Sequence, residues 1–510
     1  MRYSIYILLF GFLISLTSCR KDFDTIASSG NLEFSKTEVY LDTVFTNIGS
    51  STYSLKVYNR SNDDIKIPTI QLGKGLNSKY RIMVDGMTGN NKIFNDVELL
   101  ANDSLYIFIE TTANIADANP VNFTYNDQIL FDNGGNQQAV NLITLIQDAQ
   151  FIFPNRSLDK KIYENFDQYS FNPGTRGHAL TTNAELNWNN TKPYVIYGNC
   201  LVPSGSTLKI AAGTSVHFHK DATLIIDDGA TLNIQGGLNI LDGNGKIIIK
   251  NEVTFEGDRL EPEYEDVPGQ WGAIILSSGA NNNIEHLTLK NALVGLLMQR
   301  NISTTTPRLT IKNSQFYSCA IYGILARASI IDGKNLVIND AGQATLACQQ
   351  GGLYDFTHCT FNNNWSNSTQ LAVLLDNFIS DQNGDAIETI NLDANFKNSI
   401  IYGSNNIELL LVKKTVASTP SAWRTNFEKC LVKFNDTNNR FSEPEYAQIK
   451  GLDNYINQNP SFLNVRANQL NINNSSFAKG KANFANSGFA DILGKNRNNP
   501  SDIGAYNALP

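Results

Sequence analysis

Between residues 31 and 149 the chain alternates apolar and polar side chains in short runs, "EVYLDTVF", "STYSLKVYN", "DIKIPTIQL", "YRIMVD", "DSLYIFIET" and "NLITLIQ", parted by turns rich in Asn, Asp and Gly. Tyr53, Leu55 and Val57 fall on one face of a period-two pattern and Ser54 and Lys56 on the other, so each run predicts a half-buried strand. About seven to nine such strands in one stretch suit a two-layer sandwich.

From residue 194 the pattern changes. Leu208/Ile210, Val216/Phe218, Leu224/Ile226, Leu232/Ile234 and Leu238/Ile240 are apolar pairs whose first members lie 8, 8, 8 and 6 residues apart, with Gly213, Gly229, Gly236 and Gly237 between them. Each pair predicts a short strand with two inward side chains, and each glycine a corner where a Cβ would clash. Farther along, Leu287, Ser314, Leu336, Cys359, Ser399 and Cys430 hold equivalent places at gaps of 27, 22, 23, 40 and 31, the longest of which require loops inserted into coils. A repeat of roughly 20 to 30 residues that never completes an apolar face alone marks a solenoid. All-β coils with Gly corners predict a right-handed parallel β-helix over 194–510, including a C-terminal cap. Residues 150–193, with Pro154, Pro173 and Pro193 and no clear period, are read as a linker and capping segment. The rival fold, an antiparallel sandwich or propeller, would show frequent two-residue hairpin loops in place of evenly spaced single strands.

Ahead of these domains, Arg2 precedes an apolar run from Ile5 to Leu16, too short to span a bilayer, which ends in Leu16-Thr17-Ser18-Cys19. That ending resembles the bacterial lipobox. The resemblance implies a signal peptide over 1–18, lipid on Cys19 and a tether over 19–30, with the membrane as partner. Several acyl chains hold a protein on a membrane where one is marginal. "RKDFD", directly after Cys19, resembles the export signal of Bacteroidetes lipoproteins, implying the outer face of the outer membrane, with its periplasmic face as the alternative.

"YSLKVYNRSNDDIKIPTIQLGKG" resembles the immunoglobulin-like modules related to the abnormal-spindle and Hydin families, which implies a spacer or interaction module. "KPYVIYGNCLVPSGSTLKIAAGTSVHFHKDATLIIDDGATLNIQG", "GQWGAIIL" and the late "PSDIGAY" resemble pectin-lyase-like β-helix proteins. Together these predict an all-β protein, an N-terminal immunoglobulin-like β-sandwich followed by the right-handed parallel β-helix.

Composition narrows the function classes. A net charge of -8 with 17% charged residues offers no basic field for nucleic acid. Cys200, Cys319, Cys348, Cys359 and Cys430 show no CxxC or Cys/His spacing and are read as small buried thiols, with one disulfide left open.

The pectin-lyase-like resemblance implies one of two chemistries. A lyase needs a carboxylate-held Ca²⁺ and an Arg or Lys base, and a hydrolase needs two or three facing carboxylates. Neither set assembles along the sequence, and Arg327 in "ILARASI" has no recognisable acidic partner. Asp381, Asn383, Asp385 and Glu388 in "DQNGDAIE" offer oxygen ligands around a glycine, as a Ca²⁺ loop would, although that glycine stands fourth and not sixth as in an EF-hand; an inserted polar turn is the other reading. Glu261, Glu263, Glu265 and Asp266, followed by Trp271, form a candidate binding loop for a cation or basic partner, or else a solvated acidic excursion. His217 and His219 alternate with apolar neighbours and so share a strand face, but two imidazoles make a weak metal site. No catalytic residue is assigned. The predicted function is a non-enzymatic surface lipoprotein presenting its β-helix to a polysaccharide or a surface protein, with a polysaccharide lyase or glycoside hydrolase as the alternative.

Overall fold

The computed structural model describes residues 24–154, 177–299, 306–451 and 453–509; Cys19 and the predicted signal peptide lie outside them. The described elements are β-strands and three-residue 3-10 turns. None of them is a helix long and apolar enough to cross a membrane. The chain divides into two compact units between Asp148 and Ala149.

In the first unit the alternating runs become strands at the predicted places, "EVYLDTVF" as Glu38–Phe45 and "YSLKVY" as Tyr53–Tyr58. One sheet joins Ile26–Ala27, Ile65–Leu72, Thr124–Phe131, Gln138–Gln147 and Glu38–Phe45, with Ile93–Leu99 against Ile65–Leu72. A four-stranded sheet runs Glu33–Phe34, Tyr53–Tyr58, Ser104–Thr111, Tyr80–Val84. Inward residues of both, among them Val39, Leu55, Val57, Ile67, Ile107 and Leu142, make one buried cluster. Ile26–Ala27, within the stretch read as tether, pairs in parallel with Ile65 and Lys66.

In the second unit each coil contributes strands to two large parallel sheets. Thr288 pairs with Gln315, Gln315 with Val337, Val337 with Thr360, Thr360 with Ile400 and Ile400 with Leu431. Leu287, Ser314, Leu336, Cys359, Ser399 and Cys430, one residue earlier, therefore stand in a single column, as their spacing predicted. Parallel pairing between coils rules out the antiparallel rival. It also starts before residue 194: Gln150–Ile152, Gly177–Ala179 and Asn187–Trp188, all in the stretch read as linker, pair with the next coil. All five described cysteines are buried and free.

The coil interior is a stack of like side chains. Trp188, Ile210, Ile234, Ile284 and Ile311 follow one another in register, then Gly333, then Phe356, Phe396 and Phe427. The phenylalanine rings sit 5.2 and 5.1 Å apart, with every member of the stack buried. Gly333 marks the change from aliphatic to aromatic because a Cβ there would lie 2.6 Å from Cδ1 of Phe356. Gly333→Ala is expected to cost about 1–3 kcal/mol by overpacking, read as a lower urea midpoint of the second unit.

The fifth apolar pair breaks the pattern. Leu238 and Ile240 do not enter the core: Gly236 and Gly237 let the chain leave the coil, and Ile240–Leu241 pairs antiparallel with Ile247–Ile249 in a projecting hairpin. Gly236 is required there because a Cβ would come within 2.5 Å of the His286 carbonyl oxygen. A hairpin strand and a coil strand share the same two-residue alternation, so spacing could not separate them.

Candidate functional site

Strand alternation builds an open groove on the second unit. Two long strands, Tyr322–Lys334 and Ala344–Thr357, pair along most of their length, and Leu392–Lys397 continues the sheet beyond the second. Ile331, Gly333, Tyr354, Phe356, Ala394 and Phe396 point inward, so Ile330, Asp332 and Lys334, then Leu353, Asp355 and Thr357, then Asp393, Asn395 and Lys397 point outward. Asp332 stands beside Asp355, and Asp355 beside Asn395.

The far wall comes from the C-terminal segment, through Asn486, Gly488 and Phe489, and encloses a groove of ≈ 640 Å³. That segment is pinned by His358, whose ring bonds Ser487 Oγ (2.8 Å) and the Gly504 carbonyl (3.3 Å). Arg497 adds bonds to Asn335 Oδ1 (2.8 Å) and the Gly504 carbonyl (3.0 Å). Burial first, and then the Arg497 charge, push the His358 imidazole far below its ordinary pKa, so it serves as a neutral clamp.

Within the groove Lys397 Nζ meets Asp355 Oδ2 at 2.9 Å, and Lys334 Nζ lies 3.9 Å from Asp332 Oδ2. Asn395 donates to Asp393 Oδ1 at 2.9 Å. Leu353, 50% exposed on the floor, and Phe489 supply apolar surface beside these charges. Carboxylates, ammonium groups and an amide over a partly apolar floor can grip hydroxyl-rich ligands, since each supplies a hydrogen-bond donor or acceptor while the apolar faces take C–H surfaces.

A second polar cluster closes the other arm of the long strands. Arg327 pairs in register with Gln349 and donates to Gln299 Oε1 at 3.3 Å. Asp376, on a later coil, accepts from the Gln350 N–H at 2.7 Å; its burial pushes the carboxyl up to about 6, against the lowering by hydrogen bonds and Arg327. Arg327 thus has an acidic neighbour that the sequence did not disclose.

The residues singled out in the sequence are dispersed. Trp271 is no part of a binding loop: it is buried, stacks on Phe218 at 4.1 Å and donates its indole N–H to the Lys290 carbonyl at 2.9 Å. Of the acids before it, Glu261 is buried against Arg259 (3.1 Å), Glu265 reaches Lys290 (3.7 Å), and Glu263 and Asp266 face solvent. Asp381, Asn383 and Asp385 form the tip of an exposed hairpin in which Asp381 Oδ1 accepts from the Asn383 and Asp385 N–H groups, both at 2.9 Å. Glu388 lies on the second hairpin strand, opposite Ile379. Among the described residues no group of three or more His, Cys, Asp or Glu side chains is placed to hold a metal ion.

His217 does not share an open face with His219. It is buried beside Glu256 (3.6 Å), and burial lowers its pKa, whereas His219 stacks on Tyr197 and meets Asp258 Oδ2 at 2.7 Å.

The groove itself escaped the sequence reading, although a signal was present. Four residues before the column positions Leu336, Cys359 and Ser399 stand Asp332, Asp355 and Asn395, and two before them stand Lys334, Thr357 and Lys397.

No protein-family model matches the chain, and no curated protein matches it. Among solved structures it is similar to the E. coli chaperone DraB, with TM-score 0.16 and 15% identity over 24% of this chain and 57% of that one. A PapD-like domain of human CEP192 gives TM-score 0.15 and 12% identity over 24% of this chain and 89% of that one. The catalytic domain of a GH87 alpha-1,3-glucanase gives TM-score 0.18 and 11% identity over 75% and 81%. All three TM-scores are low, and none assigns a fold or an activity.

Proposed function

We propose that the second unit is a right-handed parallel β-helix that binds a polysaccharide in the groove along Asp332, Asp355 and Asn395. In this reading the first unit is an immunoglobulin-like spacer, and lipid on Cys19 holds the chain at the outer face of the outer membrane. The observation that carries the reading is one open groove in which carboxylates and lysines from successive coils face Leu353 and Phe489. Strands repeat at about 4.8 Å along such a stack, so a bound chain meets similar groups at regular intervals. On a glycan array, the Asp332→Asn/Asp355→Asn variant is expected to lose at least tenfold in affinity for at least one glycan the parent captures. Unchanged affinity for every captured glycan would remove the groove from the function.

A second reading, a glycoside hydrolase, is favoured by the in-register neighbours Asp332 and Asp355, since hydrolases flank the scissile bond with paired carboxylates. Release of new reducing ends from the captured glycan, lost in either single Asn variant, supports hydrolysis. Capture without product leaves binding alone.

A further inference from the structure

The outer face of the four-stranded sheet in the first unit carries an arrangement that its fold does not require. Leu55, Val57, Ile107 and Ile109 point into the core, so the alternation sends Lys56, Tyr58, Tyr106 and Phe108 outward, with Met83 opposite Phe108 on the neighbouring strand. Tyr106 and Phe108 are 46% and 42% exposed, and their rings lie 6.2 Å apart at 11° from parallel. Lys56 stands opposite Tyr106, its Nζ 5.2 Å from that ring centre and 5.3 Å from the ring of Tyr58. Arg60 covers Tyr58 at 4.2 Å. Cations and rings thus alternate along a strip from Arg60 to Tyr106, with Phe108 stacked beyond.

We propose that this strip is a second carbohydrate-binding surface, separate from the groove of the second unit. Pyranose rings present C–H faces that are attracted to the electron-rich faces of aromatic rings, while their hydroxyls accept hydrogen bonds from ammonium and guanidinium groups. A protein partner fits less well. The centres of protein interfaces are depleted in lysine, and Lys56 sits in the middle of the strip, where a hydrated sugar leaves it wet and a protein core would strip its water. Single-stranded nucleic acid also stacks on aromatic side chains, but it needs a cationic track for its phosphates. Here Arg60 is paired with Glu33 (3.1 Å) and Arg81 with Glu110 (3.4 Å).

The test uses the full chain on an array of neutral and acidic oligosaccharides, with a mixed-sequence single-stranded DNA as a further probe. Tyr106→Ala/Phe108→Ala is expected to lose at least tenfold in binding of an arrayed glycan that Asp332→Asn/Asp355→Asn retains. Both side chains are exposed, and an unchanged thermal transition checks that the variant is folded. Three results would overturn the proposal: no glycan captured by the parent, an array pattern unaltered by the aromatic substitutions, or DNA binding lost in place of glycan binding. Because each variant touches one unit, loss of the groove reading alone and loss of this one alone give different patterns, whereas a parent that captures no glycan ends both.

Discussion

Ile234→Asp is expected to unfold the second unit while leaving the first intact. Ile234 is buried between Ile210 on one coil and Ile284 on the next. The substitution forfeits roughly 1.5–3 kcal/mol of side-chain burial and sets a carboxyl among aliphatic groups with no partner, adding about 2 kcal/mol or more. The sum, about 3.5–5 kcal/mol or more, reaches the low end of the stability of an ordinary domain, about 5–15 kcal/mol. Stacked coils support one another through nearest-neighbour contacts, so damage in one spreads to both sides. Urea unfolding followed by tryptophan fluorescence isolates the effect, since all four tryptophans, Trp188, Trp271, Trp365 and Trp423, lie beyond residue 148. A parent-like transition would show that Ile234 does not carry the stack.

The second large effect is a pH dependence centred on Glu408. Its side chain is fully buried, Oε1 accepts the Asn405 N–H at 2.7 Å, and among the described residues Oε2 has no hydrogen-bond partner. Burial pushes the carboxyl up to about 8, against smaller lowering by backbone N–H groups and Lys433. Between the ordinary carboxyl pKa and that value the folded chain keeps a proton that the unfolded chain has released. The contribution is therefore fully present below about pH 4.5 and is lost as pH rises through about 8, a change on the order of 5 kcal/mol. Glu408→Gln keeps the shape and cannot ionise. The stability difference between variant and parent should grow in the variant's favour from pH 5 to pH 8 and then level off. His358 and Asp376 titrate alike in both proteins and cancel in that difference. A difference independent of pH would mean that Glu408 is already charged in the fold.

The groove depends on contacts that cannot be read along the chain. Asp332 and Asp355 are recognisable as a pair only once the column Leu336–Cys359 is extended backwards onto the outer face, and Phe489 reaches them from the C-terminal segment. Asp376 comes within electrostatic range of Arg327 through a step of two coils, across the inserted loop residues 364–370 that spoil a fixed repeat. Acid-rich stretches such as 261–266 and 381–388 were conspicuous in the sequence, yet their carboxylates mostly close turns, pair with local cations or face water. A dense acidic run needs only solvent to be stable, whereas a site needs groups held together by distant backbone.

By itself, the sequence determined the all-β class, six strands of the first unit and the column from Leu287 to Cys430. Each follows from local alternation and spacing, and burial enforces both wherever a face must leave water. Tertiary structure alone decided that Leu238 and Ile240 leave the coil, that Trp271 is core and that the C-terminal segment walls a groove. These depend on which surfaces meet, and a one-dimensional pattern records the period of a side chain without recording its neighbour.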